Sequence, residues 1–324
     1  MKAAIITEPG KTPVYGDFRE PVAEPGEELI TVSASALSQF TKGRASGSHY
    51  SSEGAIPAVA GADGVGRTEH GRRVYFVMPE APFGALAEKT LVRAGRCVAV
   101  PDGVDDITAA AIANPGMSSW AAIAERARLQ PGETVLINGA TGVAGRLAVQ
   151  IARHMGASRV IATGRDEKAL EEVKSLGADV VIPFKLGAAN PAGAEEYEDA
   201  LQDQFAEGVD VVLDYLWGES AAAVIIAAAK AGKEGVPVRF IQVGGASRED
   251  VRLPSAALRS SAIVLMGSGI NSIPFSGLLS AIRNVLHAVV AAHLQINTKV
   301  VPLSEVEKAW NADFGKSRVV FVVK

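Results

Sequence analysis

The segment GATGVAG, residues 139–145, constrains the fold of this chain more than any other. It lies between an apolar, strand-like run and a helical pattern that begins near Val143. Gly139, Gly142 and Gly145 remove side chains from the turn, so that its backbone amides and the positive end of the helix can approach an anion such as a phosphate. The spacing is GxxGxxG, which departs from the GxGxxG of a strict dinucleotide turn. The alternative is a tight turn of any α/β protein.

The surrounding sequence predicts an α/β fold with a doubly wound parallel sheet. From residue 133 apolar strand-like runs alternate with helical patterns, which is typical of a parallel sheet covered on both faces. The earlier part, to about residue 115, contains short β-type runs broken by Gly and Pro, which favours a compact, barrel-like or sandwich domain. The C-terminal segment returns to a long helix at 275–295 and a strand at 318–324. The length of 324 residues favours two domains.

Composition excludes several classes of function. A formal net charge of −4 gives no electrostatic reason to expect a nucleic acid or an anionic membrane as a partner. The single cysteine, Cys97, excludes an internal disulfide framework and fits a reducing compartment. The first residues form too short an apolar run for a signal sequence, and no run approaches the ~18–20 apolar residues of a membrane span. We therefore expect a cytoplasmic protein with a small-molecule substrate.

The end of the second strand of the parallel sheet indicates which nucleotide would bind. In dinucleotide-binding folds an acid about 20 residues after the glycine turn binds the ribose 2′-hydroxyl of NAD. Here Thr163, Gly164 and Arg165 stand at that place. The glycine leaves room for the 2′-phosphate of NADP, the arginine is a bidentate partner for it, and Lys168 would add a second cation. The alternatives are that Asp166 binds the ribose or caps the next helix, and that Arg165 is a solvated surface charge.

Further motifs are spread over the whole chain: IPAVAGADGVGRT (56–68), GMSSWAAI (116–123), KSLGADVVI (174–182), VDVVLDYLWG (209–218) and RFIQVGG (239–245). With the glycine turn, they resemble the medium-chain dehydrogenase/reductase superfamily, in its zinc-independent quinone oxidoreductase branch, which includes the zeta-crystallin-like proteins. The resemblance implies a GroES-like, β-rich catalytic domain over 1–116, completed by 272–324, and a Rossmann NADP-binding domain over 117–271. The glycine turn occurs late because the cofactor domain follows the catalytic one.

The resemblance also implies a set of cofactor contacts. In the Rossmann domain they are Ala140, Thr141, Gly142, Val143, Ala144, Thr163, Gly164, Arg165, Lys168, Val243 and Gly244; from the catalytic domain they are Gln39, Thr41 and Arg318. Two of these have plain alternatives: Gly244 as a turn residue and Arg318 as an exposed arginine. Relatives usually read GASGGVG, so that Val143 and Ala144 replace a glycine and a valine. Phe184 stands where a tyrosine is common.

The resemblance further implies reduction of a quinone or an α,β-unsaturated carbonyl by hydride from NADPH, without a metal. Zinc-dependent relatives carry a cysteine where this chain has Ser38 and a His-Glu pair where it has Ala62-Asp63, and a catalytic zinc needs about three protein ligands. The catalytic candidates lie in the loop 38–54. Tyr50 would donate its phenol to a carbonyl, and His49 would do the same or move a proton. The alternative is a polar loop without a chemical role.

Two other functions have to be considered. A short-chain dehydrogenase needs a tyrosine four residues before a lysine, and no tyrosine of this chain has that lysine. A non-enzymatic NADPH-binding protein stays open as the alternative, because loss of zinc ligands leaves few residues diagnostic of catalysis. The resemblance also points to a homodimer in which the strand AIVLMG, 262–267, pairs across a two-fold axis, since it is expected at a sheet edge.

Overall fold

The computed structural model describes residues 1–49, 56–187 and 189–323. They group into two compact units, one of Met1–Asn114 with Ile282–Lys324 and one of Pro115–Ala281. We call them unit 1 and unit 2. Among these described residues, no helix combines the length and the apolar character that crossing a membrane requires.

The strands are β1 (Lys2–Ile6), β2 (Val14–Asp17), β3 (Glu27–Ala36), β4 (Ala58–Val59), β5 (Asp63–Thr68), β6 (Arg73–Val77), β7 (Lys89–Arg93), β8 (Cys97–Ala99), β9 (Thr134–Asn138), β10 (Arg159–Gly164), β11 (Val180–Pro183), β12 (Val211–Asp214), β13 (Val238–Gln242), β14 (Ile263–Gly267), β15 (Thr298–Pro302) and β16 (Arg318–Val322). The α-helices are α1 (Gln39–Ala45), α2 (Asp106–Ala121), α3 (Val143–His154), α4 (Glu167–Ser175), α5 (Pro191–Glu207), α6 (Gly218–Ala231), α7 (Ser255–Arg259), α8 (Phe275–Ala291) and α9 (Val306–Ala309). A π-helical turn, Ala122–Ala127, continues α2, and a 3-10 turn, Leu303–Glu305, precedes α9.

Unit 1 is built on mostly antiparallel sheets. One has the strand order β2-β1-β4, and the larger has the order β15-β16-β3-β5-β6-β8, with β7 also paired to β3. The long strand β3 is therefore bonded on both sides, to β5 and to β16, and the β16 register sets Val320 opposite Ala36. This pairing brings the start of β16, near the end of the chain, into the same sheet as Asp63 at the start of β5.

Unit 2 contains a sheet of order β11-β10-β9-β12-β13-β14, in which every pair is parallel. The chain moves outward from β9 to β11 on one side, then returns to β12 on the other side of β9. In open parallel sheets, ligands bind at the carboxyl ends of the strands beside such a reversal. The turn after β9 is the glycine turn, so the topology places it at this edge.

The predicted α/β class is confirmed, with a parallel sheet in unit 2 and antiparallel sheets in unit 1. The predicted strands of the parallel sheet are present, and the helix expected near Val143 begins at that residue. The helix predicted over 275–295 ends earlier, at Ala291. The sequence reading did not identify α5, a largely polar helix whose buried residues, Tyr197, Leu201 and Phe205, recur every four positions.

Candidate functional site

The glycine turn closes tightly on itself. Gly139 has a φ of 88°, and the N–H of Ala140 donates to the Thr163 carbonyl at 2.9 Å. A Cβ on Gly145 would lie 2.4 Å from the Gly139 carbonyl oxygen, so helix α3 can meet the turn only with glycine there. Gly142 caps α3 with no side-chain hydrogen bond. The first N–H groups of α3 have no hydrogen-bond partner within the helix, and no side chain of the N-cap residue binds them.

The residues after β10 are exposed and basic. Arg165 and Lys168 are both exposed, and neither forms an ion pair within the described parts of the chain. A Cβ on Gly164 would lie 2.7 Å from Thr141 Cγ2, so the absence of a side chain at Gly164 leaves room for Thr141 of the glycine turn. Asp166 is the N-cap of α4, where its Oδ1 accepts from Ala169 N at 3.0 Å. Of the two roles weighed for Asp166, the structure contains the helix cap.

Beneath the glycine turn lies a buried polar cluster centred on Asn138, the last residue of β9. Its Nδ2 donates to Asp214 Oδ1 at 2.8 Å and to Ser220 Oγ at 3.1 Å. Its Oδ1 accepts from Thr163 Oγ1 at 2.7 Å and from Tyr197 OH at 3.3 Å. The amide thus uses both hydrogens and both lone pairs. The register of the strands explains why these side chains are neighbours, because Asn138 is opposite Thr163 of β10 on one side and Asp214 of β12 on the other.

Asp214 ends β12 and organises the turn that follows. Its carboxylate accepts from Leu216 N and, at 3.0 Å, from Trp217 N. The side chain is fully buried, and burial raises the pKa of Asp214 to about 6, against the opposing effect of these hydrogen bonds. Leu216 in turn fills the space beside Gly139, where a Cβ would lie 2.8 Å from Leu216 Cγ. The turn after β12 therefore packs on the glycine turn.

Two further predicted contacts lie after β13. The N–H groups of Val243 and Gly244 both donate to the Asp214 carbonyl, at 2.8 and 3.1 Å. A Cβ on Gly244 would lie 2.9 Å from the Tyr215 carbonyl oxygen. The structure thus brings together residues 140–144, 163–164 and 243–244 at one edge of the sheet. Phe184 is a core residue, with its ring 4.8 Å from that of Tyr197.

In unit 1, the predicted site residues that the structure describes near the end of β3 lie on or beside helix α1. Ser38 caps the helix by accepting from Thr41 N at 2.8 Å, and its hydroxyl donates to Thr41 Oγ1 at 2.9 Å. Gln39 is exposed at the first helical position, whereas Thr41 is buried. His49 packs edge-on against Phe40, and its pKa is lowered by burial and then by the charge of Arg44. Tyr50, the other catalytic candidate, lies outside the described residues.

A second buried polar group in unit 1 contains Asp63, Tyr75, Asn114 and Arg318. Asn114 Nδ2 donates to Asp63 Oδ2 at 3.0 Å. Burial raises the pKa of Asp63 to about 6, and the opposing charge of Arg318 is the next largest effect. Asp63 Oδ1, the Tyr75 hydroxyl, and Nε and Nη2 of Arg318 are buried without a hydrogen-bond partner among the described residues. Arg318, for which an exposed arginine is the alternative, is partly buried: Nε and Nη2 of its guanidinium are buried, and it shares its surroundings with a carboxylate.

Sequence reasoning missed the residues that connect these elements. Asn138, Tyr197 and Ser220 carry no motif, and their meeting depends on strand register and on a helix that was not predicted. The position of Asn138, directly before the glycine turn in an otherwise apolar strand, was the available signal. A buried polar residue at a strand end needs partners from neighbouring strands.

The strand order and the glycine turn are typical of the dinucleotide-binding, Rossmann-like fold. The family described as "Zinc-binding dehydrogenase" matches residues 144–284. A "Probable NADPH-dependent quinone reductase tdiC" from Emericella nidulans is 29% identical, over 99% of this chain and all of that protein. The "Trans-enoyl reductase pgmF" from Aspergillus terreus is 36% identical over 32% of this chain and 28% of that protein.

Solved structures are similar to this chain over nearly its whole length. The quinone oxidoreductase from Thermus thermophilus, solved alone and with NADPH, has a TM-score of 0.80 and 26% identity, with 99% of this chain and 100% of that chain covered. A probable oxidoreductase from Mycobacterium abscessus has a TM-score of 0.78 and 26% identity, with 99% and 98% covered. Over its whole length this chain is therefore similar to proteins described as quinone reductases and quinone oxidoreductases.

The family description raises the question of whether this chain could hold zinc. Within residues 1–49, 56–187 and 189–323, no cluster of three or more His, Cys, Asp or Glu side chains could hold a metal ion. At the positions of the expected ligands, Ser38 Oγ is engaged in the helix cap, Ala62 has no donor atom, and Asp63 faces Arg318. The donor set of the described residues does not fit a protein-bound zinc.

Proposed function

We propose that this chain is an NADPH-dependent oxidoreductase that transfers a hydride to a quinone or an α,β-unsaturated carbonyl without a metal ion. The observation that carries the proposal is the glycine turn at the reversal of the parallel sheet, followed by an uncapped helix. Relatives support it: one that matches along its whole length is named a probable NADPH-dependent quinone reductase, and a solved structure of similar fold is a quinone oxidoreductase with NADPH.

The residues of unit 2 fit the dinucleotide. The backbone of residues 140–144 would hold the diphosphate at the start of α3. Arg165 and Lys168, exposed and without ion-pair partners among the described residues, would bind the 2′-phosphate. Val243 and Gly244 would border the nicotinamide ring. Gln39, Thr41 and Arg318 of unit 1 are proposed as further contacts.

When bound, the dihydronicotinamide supplies a hydride, and the chain supplies orientation and hydrogen bonds. A quinone or enone already delocalises the arriving charge, so hydrogen bonds aimed at its oxygen can replace a Lewis acid. Because the pKa of His49 is lowered, its imidazole is neutral at pH 7 and can donate one N–H to such an oxygen. We propose Tyr50 as a second donor. The Cys97 thiol takes no part: burial raises its pKa to about 12, and its reduced state fits the proposed cytoplasmic setting.

The test is a panel of quinones, enones and simple alcohols, assayed by the loss of NADPH absorbance with and without a chelator. We expect turnover of quinones or enones, faster with NADPH than with NADH and unchanged by the chelator. Activity on alcohols alone, or strong loss with the chelator, would contradict the metal-free mechanism. Tight NADPH binding with no turnover across the panel would instead favour the NADPH-binding protein without catalysis.

A further inference from the structure

We propose that Asp214 is a positioning residue for the cofactor site and that its ionised carboxylate holds the site in its binding conformation. The inference rests on the proposed function, since the site is that of the nucleotide. Asp214 would not touch the nucleotide. It would act through the turn at residues 215–217 on the glycine turn.

The hydrogen bonds to Asp214 suit a carboxylate and not a carboxylic acid. Its oxygens face Asn138 Nδ2 and the N–H groups of Leu216 and Trp217. All three are donors. A proton on either oxygen would be a buried donor that finds no acceptor among these three partners, so the neutral acid is disfavoured in this arrangement of the turn. The ionised form is the one that satisfies the whole cluster.

The surroundings of Asp214 make its ionisation sensitive to pH near neutrality. The carboxylate is fully buried, and no cation among the described residues forms an ion pair with it. The other titratable groups that face it are the phenols of Tyr197, from α5, and Tyr215, whose pKa values are raised by burial. Burial thus opposes the charge, while hydrogen bonds favour it, so that the carboxyl of Asp214 has a pKa of about 6.

The turn held by Asp214 is strained and in contact with the glycine turn. Trp217 has a φ of 64°, which is rare for a residue other than glycine, and Trp217 N donates to the carboxylate. Leu216 packs where a side chain on Gly139 would lie. Loss of the carboxylate would release the strained turn and move Leu216. The glycine turn would then lose the contact that shapes it.

The first experiment uses the protein without nucleotide. Trp217 fluorescence is followed from about pH 5 to pH 8 in a Trp120→Phe background, in which Trp217 and Trp310 are the remaining tryptophans. The same protein with Trp217→Phe in addition gives the fluorescence of Trp310, which is subtracted. We expect one transition near pH 6. A flat signal over this range would overturn the proposal, and this result does not depend on any Asp214 variant.

The second experiment measures nucleotide affinity against pH by titration. NADH is used beside NADPH, because the 2′-phosphate of NADPH itself takes up a proton near pH 6. We expect NADH affinity to fall about tenfold from pH 7.5 to pH 5, as a charge-assisted hydrogen bond is lost. Unchanged NADH affinity over this range, with nucleotide bound, would overturn the link between Asp214 and the site.

The matched pair of variants is Asp214→Asn and Asp210→Asn. Both lie on or beside β12, and Asp210 accepts from a backbone N–H, that of Thr134, at the opposite end of the strand. Asp214→Asn should remove the fluorescence transition and bind NADH weakly at every pH, whereas Asp210→Asn should behave as the unchanged protein. If the fluorescence transition of the Asp214→Asn protein keeps the wild-type pH midpoint, the assignment of that transition to Asp214 is overturned. Absence of binding of either nucleotide at any pH, with the fluorescence transition intact, would overturn the proposed function instead.

Discussion

At the scale of single residues, the described part of the chain contains two buried carboxylates with different partners. Asp214 is surrounded by neutral donors, while Asp63 shares a buried region with the guanidinium of Arg318. Neither arrangement could be predicted from the sequence. Asn138 and Asp214 are separated by 76 positions, and Asp63 and Arg318 lie in the two separate segments of the chain that form unit 1. Their neighbours follow from strand pairing, which no local pattern specifies. Arg165 is the opposite case, because its place after a strand indicated its proposed role directly.

Asp63→Asn should destabilise unit 1 at pH 7.5 by about 3 kcal/mol, because the partly buried Arg318 would lose its counter-charge. Arg318→Met should also destabilise the unit, since the buried carboxyl of Asp63 loses the cation that favours its ionised form. The double variant should recover most of the loss. Urea unfolding followed by Trp310, with the other tryptophans replaced by phenylalanine, measures each free energy of unfolding. Additive losses in the double variant would show that the two charges are not coupled.

Arg165→Ala should weaken NADPH binding by about 1.5–3 kcal/mol and leave NADH binding nearly unchanged, because only NADPH offers a 2′-phosphate. Titration of both nucleotides into both proteins measures the difference. Arg259→Ala, at the exposed end of α7, is the matched control and should change neither affinity. Equal losses for NADPH and NADH in Arg165→Ala would contradict the proposed role.

At the scale of elements, the sequence was most informative where local chemistry determines conformation. Apolar runs predicted the strands of the parallel sheet, and glycine spacing predicted the turn and the start of α3. It was least informative for α5, where a largely polar sequence concealed the buried positions Tyr197, Leu201 and Phe205. Asn190 and Pro191 mark the start of that helix by their capping preference, so a reading based on caps would have found it.

The two glycines at the start of α3 should respond differently to alanine. Gly145→Ala places a Cβ 2.4 Å from a backbone oxygen and should destabilise the protein by about 1–3 kcal/mol. Gly142→Ala meets nothing closer than 3.8 Å and should keep its stability, while its methyl group hinders the approach of a diphosphate. Thermal unfolding and NADPH titration separate the two effects. Equal destabilisation by both changes would contradict the geometry of the turn.

At the scale of the whole molecule, β14 is an edge strand of the parallel sheet with two exposed apolar residues, Val264 and Leu265. We propose that this edge pairs with its copy in a homodimer. Val264→Arg should yield a monomer by light scattering at micromolar concentration, because like charges would face each other near the two-fold axis. Val300→Arg, on the edge strand β15 of unit 1, is the control and should remain dimeric. A wild-type protein of monomer mass would contradict the proposal.

Unit 1 is interrupted in the sequence, because the chain leaves it after residue 114 and returns at residue 282. During synthesis on the ribosome, every strand of the parallel sheet has therefore been made once residue 267 has been added. Strand β3 is synthesised early, but it cannot pair with β16 until residue 322 has been added. The unit that begins the chain is thus the last that can be finished, and the end of β3 at residues 34–36 lacks its β16 partner throughout the synthesis of unit 2. An unpaired edge of this kind is open to mispairing, which makes the time between β3 and β16 the period in which a chaperone would protect this chain most.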